Sequence, residues 1–544
     1  MSKVLLFQKI AAGIKSGTVN FEQSHKYRSL DDYLIPARKW QIETAELLSS
    51  SDLERFVNFP PLLEVLASVV DESFSQTNNS ASTNSFLKIK ADQSWSVSTP
   101  KEESVFAQPL KRFFPARKII SLSEILSTVN RATDFLAEFD SGQMTGIRKR
   151  PSNQIFFAGI IGLGCEIGLP NIAHISKQIT HSELENTVNW YFSLANLQTA
   201  NACLVNFLNR LDLPNIYRRS QSSLHTSSDG QKFAVSVDSL NANYSFKYFG
   251  QNKGVSVYSF IDERHLLFYS TVISAAEREA AYVIDGLLHN EVIKSDIHST
   301  DTHGYTEIIF GVTYLLGLTF APRLKQLDRQ RLYSFQKRKV YETQNFRILP
   351  DAYIDTKLIA ENWSEILRFV TTIKLKYATA SQLFKRLNSY SKQHPLYRAL
   401  KEFGKIIKTI FILRYIDDPV LRQSIEKQLN KIENAHKFAK AIAFGNNQEF
   451  SSGEKEEQDI IAGCRQLIEN SIICWNYLYL TQKLNDANQQ ESQELLTAVK
   501  EGSIVTWQHI NFHGEYDFSE EKLRDSVGLN LPQILSWKRS ENQE

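Results

Sequence analysis

Close cysteine pairs are missing from this sequence. Its four cysteines, Cys165, Cys203, Cys464 and Cys474, lie far apart or ten residues apart. That spacing suits neither a structural zinc site nor a disulfide framework, and free thiols in a reducing compartment are expected. Long apolar runs are missing too. The best, Ile308 to Ala321, is interrupted by Gly and Thr and falls short of the ~18–20 residues that span a bilayer. The opening MSKVLLFQKIAAGIK places Gln8 and Lys9 inside its apolar stretch, which is wrong for a signal peptide. A cytoplasmic chain that avoids membranes is the reading. There is no excess of either charge: 62 Lys and Arg against 60 Asp and Glu leave +2, so a nucleic-acid surface has to be a local patch. A dinucleotide-binding GxGxxG is also lacking. IFFAGIIGLGCEIGL spaces its glycines as GxGxxxG inside a helix-like run, and close helix packing explains them better. No repeat recurs at a fixed period.

What is present is an ordinary globular composition, 42% hydrophobic and 22% charged over 544 residues. Such a length implies three or four structural units. Residues 1–70 read as helices punctuated by Pro36 and Pro60–Pro61, and VDESFSQTNNSASTNS reads as an exposed connection. FLKIK and SWSVS alternate and suit a small hairpin. Helical periodicity runs from Ser121 to about Arg210. At residue 222 strand signals begin: SSLHTSSDGQKFAVSVDS, GVSVYSFIDE and HLLFYSTVI predict an antiparallel meander. A helix over Ala275–His289, the extended IKSDIHST, a second helix and the strand-like LGLTFAPRL follow, predicting a mixed sheet with helices on its faces. Beyond Arg323 the chain is helical and almost strandless until one long helix, with Asp418 as cap, Pro419 first and Gly445 at the stop. SSGEKEEQD reads as a charged loop and the last thirty residues as a tail.

Three acids stand at unusual places, each with a dull explanation. Asp229 precedes a glycine, as in a two-residue hairpin turn. Asp301 falls where an extended stretch meets a helix and suits an N-cap. Glu433 lies four residues before Lys437, the spacing of an exposed ion pair. Their order, with an acid at the end of the first strand, another at the end of the fourth and a third on a later helix, is that of ribonuclease-H-like nucleases. Carboxylates gathered so closely repel, and hard divalent cations relieve the repulsion.

At these residues the chain resembles the DDE transposases of the Tn-three type, which move replicative class II bacterial transposons. LHTSSDGQKF (224–233), TDTHGYTE (300–307), LGLTFAPRL (316–324), LNKIENAHKFAKAI (429–442), WNYLYL (475–480) and HINFHGEYDF (509–518) carry the likeness, with KSGTVNFEQSHKYRSLDDYLIP (15–36) upstream. The resemblance implies an α/β mixed fold: a ribonuclease-H-like core with a helical insertion, flanked by mostly helical N- and C-terminal regions. Segments of 1–110 (helical or mixed, linking or dimerising), 111–215 (helical), 216–324 (core), 325–415 (insertion), 416–450 (the Glu433 helix completing the core) and 451–544 (helical scaffold and tail) are expected. It further implies Asp229, Asp301 and Glu433 as catalytic and metal-holding residues, for two magnesium ions or manganese in their place. The implied reaction is hydrolysis at transposon ends followed by transfer of the 3′-hydroxyl to target DNA. The implied partners are terminal inverted repeats, target DNA and a second copy in a homodimer, in a nucleoid-associated bacterial protein. Family members are almost twice this length, so a separate polypeptide supplying end recognition is a further expectation. A catalytically idle DNA-binding remnant and a structure-selective nuclease of the same fold are the competing readings.

For DNA contacts the richest run is RLKQLDRQRLYSFQKRK, offering Arg323, Lys325, Arg329, Arg331, Lys337, Arg338 and Lys339 with Tyr333 and Phe335 interleaved. KRFFPARK (111–118) and RKR (148–150) are smaller clusters, and solvated faces would account for all three. His225, His303 and His436 lie near the acids in sequence and suit core or capping roles.

Overall fold

The computed structural model describes the chain apart from residues 1–2, 25–26, 91–93, 101–109, 116–118, 142–149, 391, 515 and 540–544, and apart from the His303 side chain. It is mixed α/β and falls into two compact units that each draw on separated stretches of sequence.

The first unit comprises Met1–Glu102, Arg278–His289 and Asp296–Lys427. Its strand Ile297–Thr300 leads through the helix Glu307–Leu315 to Thr319–Phe320, which lies parallel to it with Ile297 opposite Thr319. That helix crosses the 23-residue helix Pro395–Asp417 at a glycine contact. A Cβ on Gly404 would lie 1.7 Å from the Glu307 carbonyl oxygen, and one on Gly311 would be 3.2 Å from the Gly404 Cα. Two backbones meet there because neither helix carries a side chain at the crossing. Leu87–Ile89 and Trp95–Val97 form the expected antiparallel hairpin.

One expectation fails in this unit. VDESFSQTNNSASTNS is no exposed connection, since the helix Phe59–Ser80 runs through most of it and buries Val70, Phe74 and Thr77. Its polar residues are spent on another helix's end. Thr77 and Ser80 donate to Asp417, and Asn84 donates to the Ile416 carbonyl. Side chains that argue for a loop in isolation act here as tertiary caps.

The second unit comprises Glu103–Glu277, Asn290–Ser295 and Gln428–Glu544. The expected meander is present: His225–Ala234 pairs antiparallel with Lys253–Asp262, which pairs antiparallel with Leu267–Ser274. The 32-residue helix Lys455–Asp486, mostly buried, packs on the meander's outer strand and on the helices Asn153–Gly164 and Leu194–Leu208. This helix also covers the outer strand's free backbone. Asp459 accepts from the Val272 N–H at 2.6 Å, Gln466 donates to the Leu267 carbonyl, and Asn470 both accepts from and donates to Leu267. The glycine run behaves as read. In the helix Asn153–Gly164, a Cβ on Gly159 would meet Phe192 at 2.7 Å, one on Gly162 Ile172 at 2.7 Å, and one on Gly164 Ile468 at 2.7 Å.

Two further expectations are corrected in this unit. The stretch read as a tail is not loose over its described residues, because Phe518 and Ile534 are buried and Arg539 N–H donates to Asp212 at 2.7 Å. The charged stretch SSGEKEEQD becomes helical from Lys455. The long helix Pro419–Ile442 opens as expected, with Asp418 accepting from the Leu421 N–H at 2.8 Å. Gly445 is needed for a different reason from the stop assigned to it: its φ is −73°, and a Cβ would lie 2.3 Å from the Glu166 carbonyl oxygen.

Candidate active site

Asp229 does not begin a turn. It sits in the middle of the ten-residue strand His225–Ala234, opposite Ser259, with Gly230 opposite Tyr258. Side chains alternate across a strand, so 227, 229 and 231 share a face. The helix Pro419–Ile442 lies along it. Ser227 donates to the Gln428 carbonyl at 3.2 Å, Gln428 donates to the Ile261 carbonyl, and Gln231 donates to the His436 carbonyl at 2.6 Å. Lys431 ties the same helix to the Glu263 carbonyl. Between these attachments the Asp229 carboxylate stands 3.8 Å from His436 Nδ1, with 29% of its side chain exposed.

Glu433 is exposed and lies one turn before His436, so helical geometry puts it on the same side of the helix as the residue that meets Asp229. The i,i+4 ion pair with Lys437 is not formed among the described residues, and Glu433 has a different partner. Burial is the main cause that lowers the His436 pKa to about 4; Lys440 and Lys232 lower it further, against the Asp229 backbone hydrogen bond. Its approach to Asp229 at neutral pH is therefore that of a neutral ring.

Asp301 belongs to the first unit, just past the strand Ile297–Thr300. It makes no side-chain cap on the short helical turn it precedes, and Thr306 caps the following helix. Its partners are cations: Arg323 reaches it at 3.0 and 3.2 Å and Lys325 at 3.6 Å, while Arg323 also donates to Glu426 at 3.1 Å. Burial alone would raise the Asp301 pKa. The Thr302 hydrogen bond, Arg323 and Lys325 outweigh it and hold the carboxyl below its ordinary value.

Among the described residues no group of three or more His, Cys, Asp or Glu side chains stands close enough to hold a metal ion. The donors fit a hard divalent cation in kind, since all three acids offer carboxylate oxygens, Glu433 is exposed and Asp229 and Asp301 are partly so.

The predicted DNA-binding run divides. Arg323 is only 19% exposed and engaged with two acids. Lys325, Arg329, Arg331, Lys337, Arg338 and Lys339 are exposed, with Arg338 paired to Glu342 at 2.9 Å. Tyr333 is buried under Lys405 and is no stacking platform. In KRFFPARK, Arg112 pairs with Glu494 and residues 116–118 lie outside the described residues, as do 148–149 of RKR; Arg150 donates to the Phe139 carbonyl. His225 is a core residue, its pKa lowered to about 3 by burial, then by Arg219 and Lys431. Sequence reasoning missed Glu426, whose only signal is its spacing seven residues before Glu433 on the same helix. It also missed the role of Gln428 and Gln231 as ties, which nothing local signals.

These features define a class, mixed α/β proteins in which a mid-strand carboxylate is faced by a long helix bearing another. Comparison with known proteins narrows it. A family model described as "Tn3 transposase DDE domain" matches residues 124–516, and the chain belongs to that family. It is 32% identical over 527 residues to the transposase for transposon Tn1546 of Enterococcus faecium, covering 95% of this chain and 51% of that one. Against the transposase for transposon Tn2501 of Escherichia coli it is 30% identical over 525 residues, covering 94% and 51%. Against the transposase for transposon Tn501 of Pseudomonas aeruginosa it is 28% identical over 530 residues, covering 96% and 52%. The chain thus spans about half the length of the curated relatives it matches. Among the described residues no helix is long and apolar enough to cross a membrane.

Proposed function

We propose that this chain is the catalytic portion of a DNA transposase. In this reading residues 216–324 and 416–450 form a ribonuclease-H-like core, 325–415 is a helical insertion, and Asp229, Asp301 and Glu433 hold divalent metal. The observation that carries it is the placing of Asp229 against the helix face that bears Glu433, fixed on either side by the Ser227 and Gln231 hydrogen bonds. When bound, two magnesium ions, or manganese in their place, would polarise the scissile phosphate and ready the attacking oxygen. Asp229 and Glu433 supply hard oxygen donors from a rigid strand and helix. Arg323 and Lys325 keep Asp301 ionised, so that it enters the site as a carboxylate. In the first step water's oxygen bonds to phosphorus at a transposon end and the 3′-oxygen leaves as a hydroxyl. In the second that hydroxyl attacks a target phosphodiester, forming one P–O bond as another breaks. No side chain is covalently modified.

The substrates are terminal inverted repeats and target DNA, and the working form is a homodimer. Exposed Lys325, Arg329, Arg331, Lys337, Arg338 and Lys339 contact the DNA backbone in this reading. The experiment is cleavage of end-labelled inverted-repeat DNA with magnesium. Nicking and joining of the 3′ end to a plasmid are expected, and Asp301→Asn should abolish both while the protein stays folded by circular dichroism at the assay temperature. Cutting of branched DNA without joining would mark a structure-selective nuclease instead.

A further inference from the structure

The connection from Ala234 to Lys253 leaves five large apolar side chains in solvent. Val237 is 46% exposed, Leu240 fully so, Tyr244 67%, Phe246 86% and Tyr248 50%. Three of these are aromatic, and lysines accompany them: Lys247 lies 4.8 Å from the Tyr248 ring centre and Lys253 5.3 Å from that of Tyr244. Solvent-exposed rings normally signal a missing partner. One of them has a defined setting. Tyr248 forms a wall of an open cleft with Gly230 and Lys232 of the central strand and His436, Lys437 and Lys440 of the long helix. Among the described residues neither Lys437 nor Lys440 is in an ion pair. The cleft thus combines three ammonium groups with a ring face, and it opens one residue beyond Asp229.

We propose that this cleft binds an unpaired stretch of nucleic acid, with a base stacked on Tyr248 and flanking phosphates held by Lys232, Lys437 and Lys440. A duplex hides its base faces, so a base can stack on the Tyr248 ring only in a strand whose bases are unstacked. Ammonium groups spread along one helix face and one strand suit a phosphate backbone, which presents charges in series, better than a single compact anion. The proposal rests on the reading that DNA is the substrate.

The test is anisotropy with a labelled single-stranded oligonucleotide and its duplex, in excess EDTA so that metal and catalysis play no part. The single strand should bind more tightly than the duplex. Tyr248→Ala should weaken single-strand binding about tenfold and leave duplex binding within about twofold. Lys437→Ala with Lys440→Ala should lower the slope of log affinity against log salt by about 1.4 in magnitude. All three side chains are exposed, so the variants should melt with wild type. Equal single-strand affinity in wild type and variants overturns the proposal, as does duplex preference. A concentration-dependent dimer that Tyr248→Ala dissolves, with oligonucleotide affinity unchanged, assigns the patch to a second copy and overturns it too. Metal-dependent nicking by a wild type that fails this binding test would separate the cleft from the catalytic reading.

Discussion

Glu469 shows how far one residue can set the behaviour of the chain. It lies buried on the helix Lys455–Asp486, and burial raises its pKa to about 8 although Arg465 pulls the other way. A carboxyl with its folded pKa above the unfolded value contributes stability that is fully present below about pH 4.5 and is lost as pH rises toward 8. Wild type should lose on the order of 1 kcal/mol per pH unit across that window, and Glu469→Gln should flatten the slope, as denaturant melts at pH 5.5 and pH 8 would read. At the same scale Asp229 and Asp301 show what the sequence could and could not say. Both were legible as carboxylates at strand ends, which holds for Asp301 and fails for Asp229 in mid-strand. Their surroundings were not. An Asp-Gly pair suits a turn only if the chain reverses there, and here strand pairing continues through Gly230 to Ala234, which outweighs the local preference. Arg323, taken for a phosphate contact, is engaged by Asp301 and by Glu426, which lies 103 residues further on.

Among elements, the crossing of Glu307–Leu315 on Pro395–Asp417 leaves a Cβ less room at Gly404 than at any other described glycine. Gly404→Ala forces a methyl group onto a carbonyl oxygen and should cost about 3 kcal/mol or prevent folding, whereas Gly463→Ala, whose nearest neighbour is a Leu197 side chain at 3.3 Å, should cost under about 1 kcal/mol. Thermal unfolding of the pair of variants checks the contrast. Asn470→Leu should cost about 1–3 kcal/mol, because it leaves the buried Leu267 N–H without its acceptor and removes one of the two donors to the Leu267 carbonyl, which keeps Gln466. Elements with strong periodicity were readable, among them the meander, the hairpin and the long helix with its Asp418 cap. Those missed were polar stretches ordered by distant partners. Thr77 and Ser80 are turn-like residues until Asp417 is beside them, and Ser526 is tail-like until its N–H meets Glu124 at 2.7 Å.

At the scale of the whole molecule the cysteines make a simple prediction. All four are free, Cys165, Cys464 and Cys474 are buried, and Cys203 is half-buried. Burial pushes the Cys165 thiol up to about 12 and raises the other three. A thiol reagent at pH 8 should therefore label at most one site quickly in the native protein and all four in denaturant, with no disulfide on a non-reducing gel. The division into units was not legible, because each gathers stretches far apart in the chain: the second takes Asn290–Ser295 from between pieces of the first. Periodicity reports a segment's own faces and carries no label for the core it joins.

The polar ladder from Asp459 to Asn470 has a consequence for synthesis. An uncovered strand margin is a template on which stray chains can polymerise, and Leu267–Ser274 has such a margin until the helix arrives. That helix begins only at Lys455, so at ribosomal speed the nascent strand waits on the order of ten to forty seconds for its cover. Overproduction should be most prone to inclusion bodies when translation slows between those two points, and chaperones that shield extended segments should relieve it.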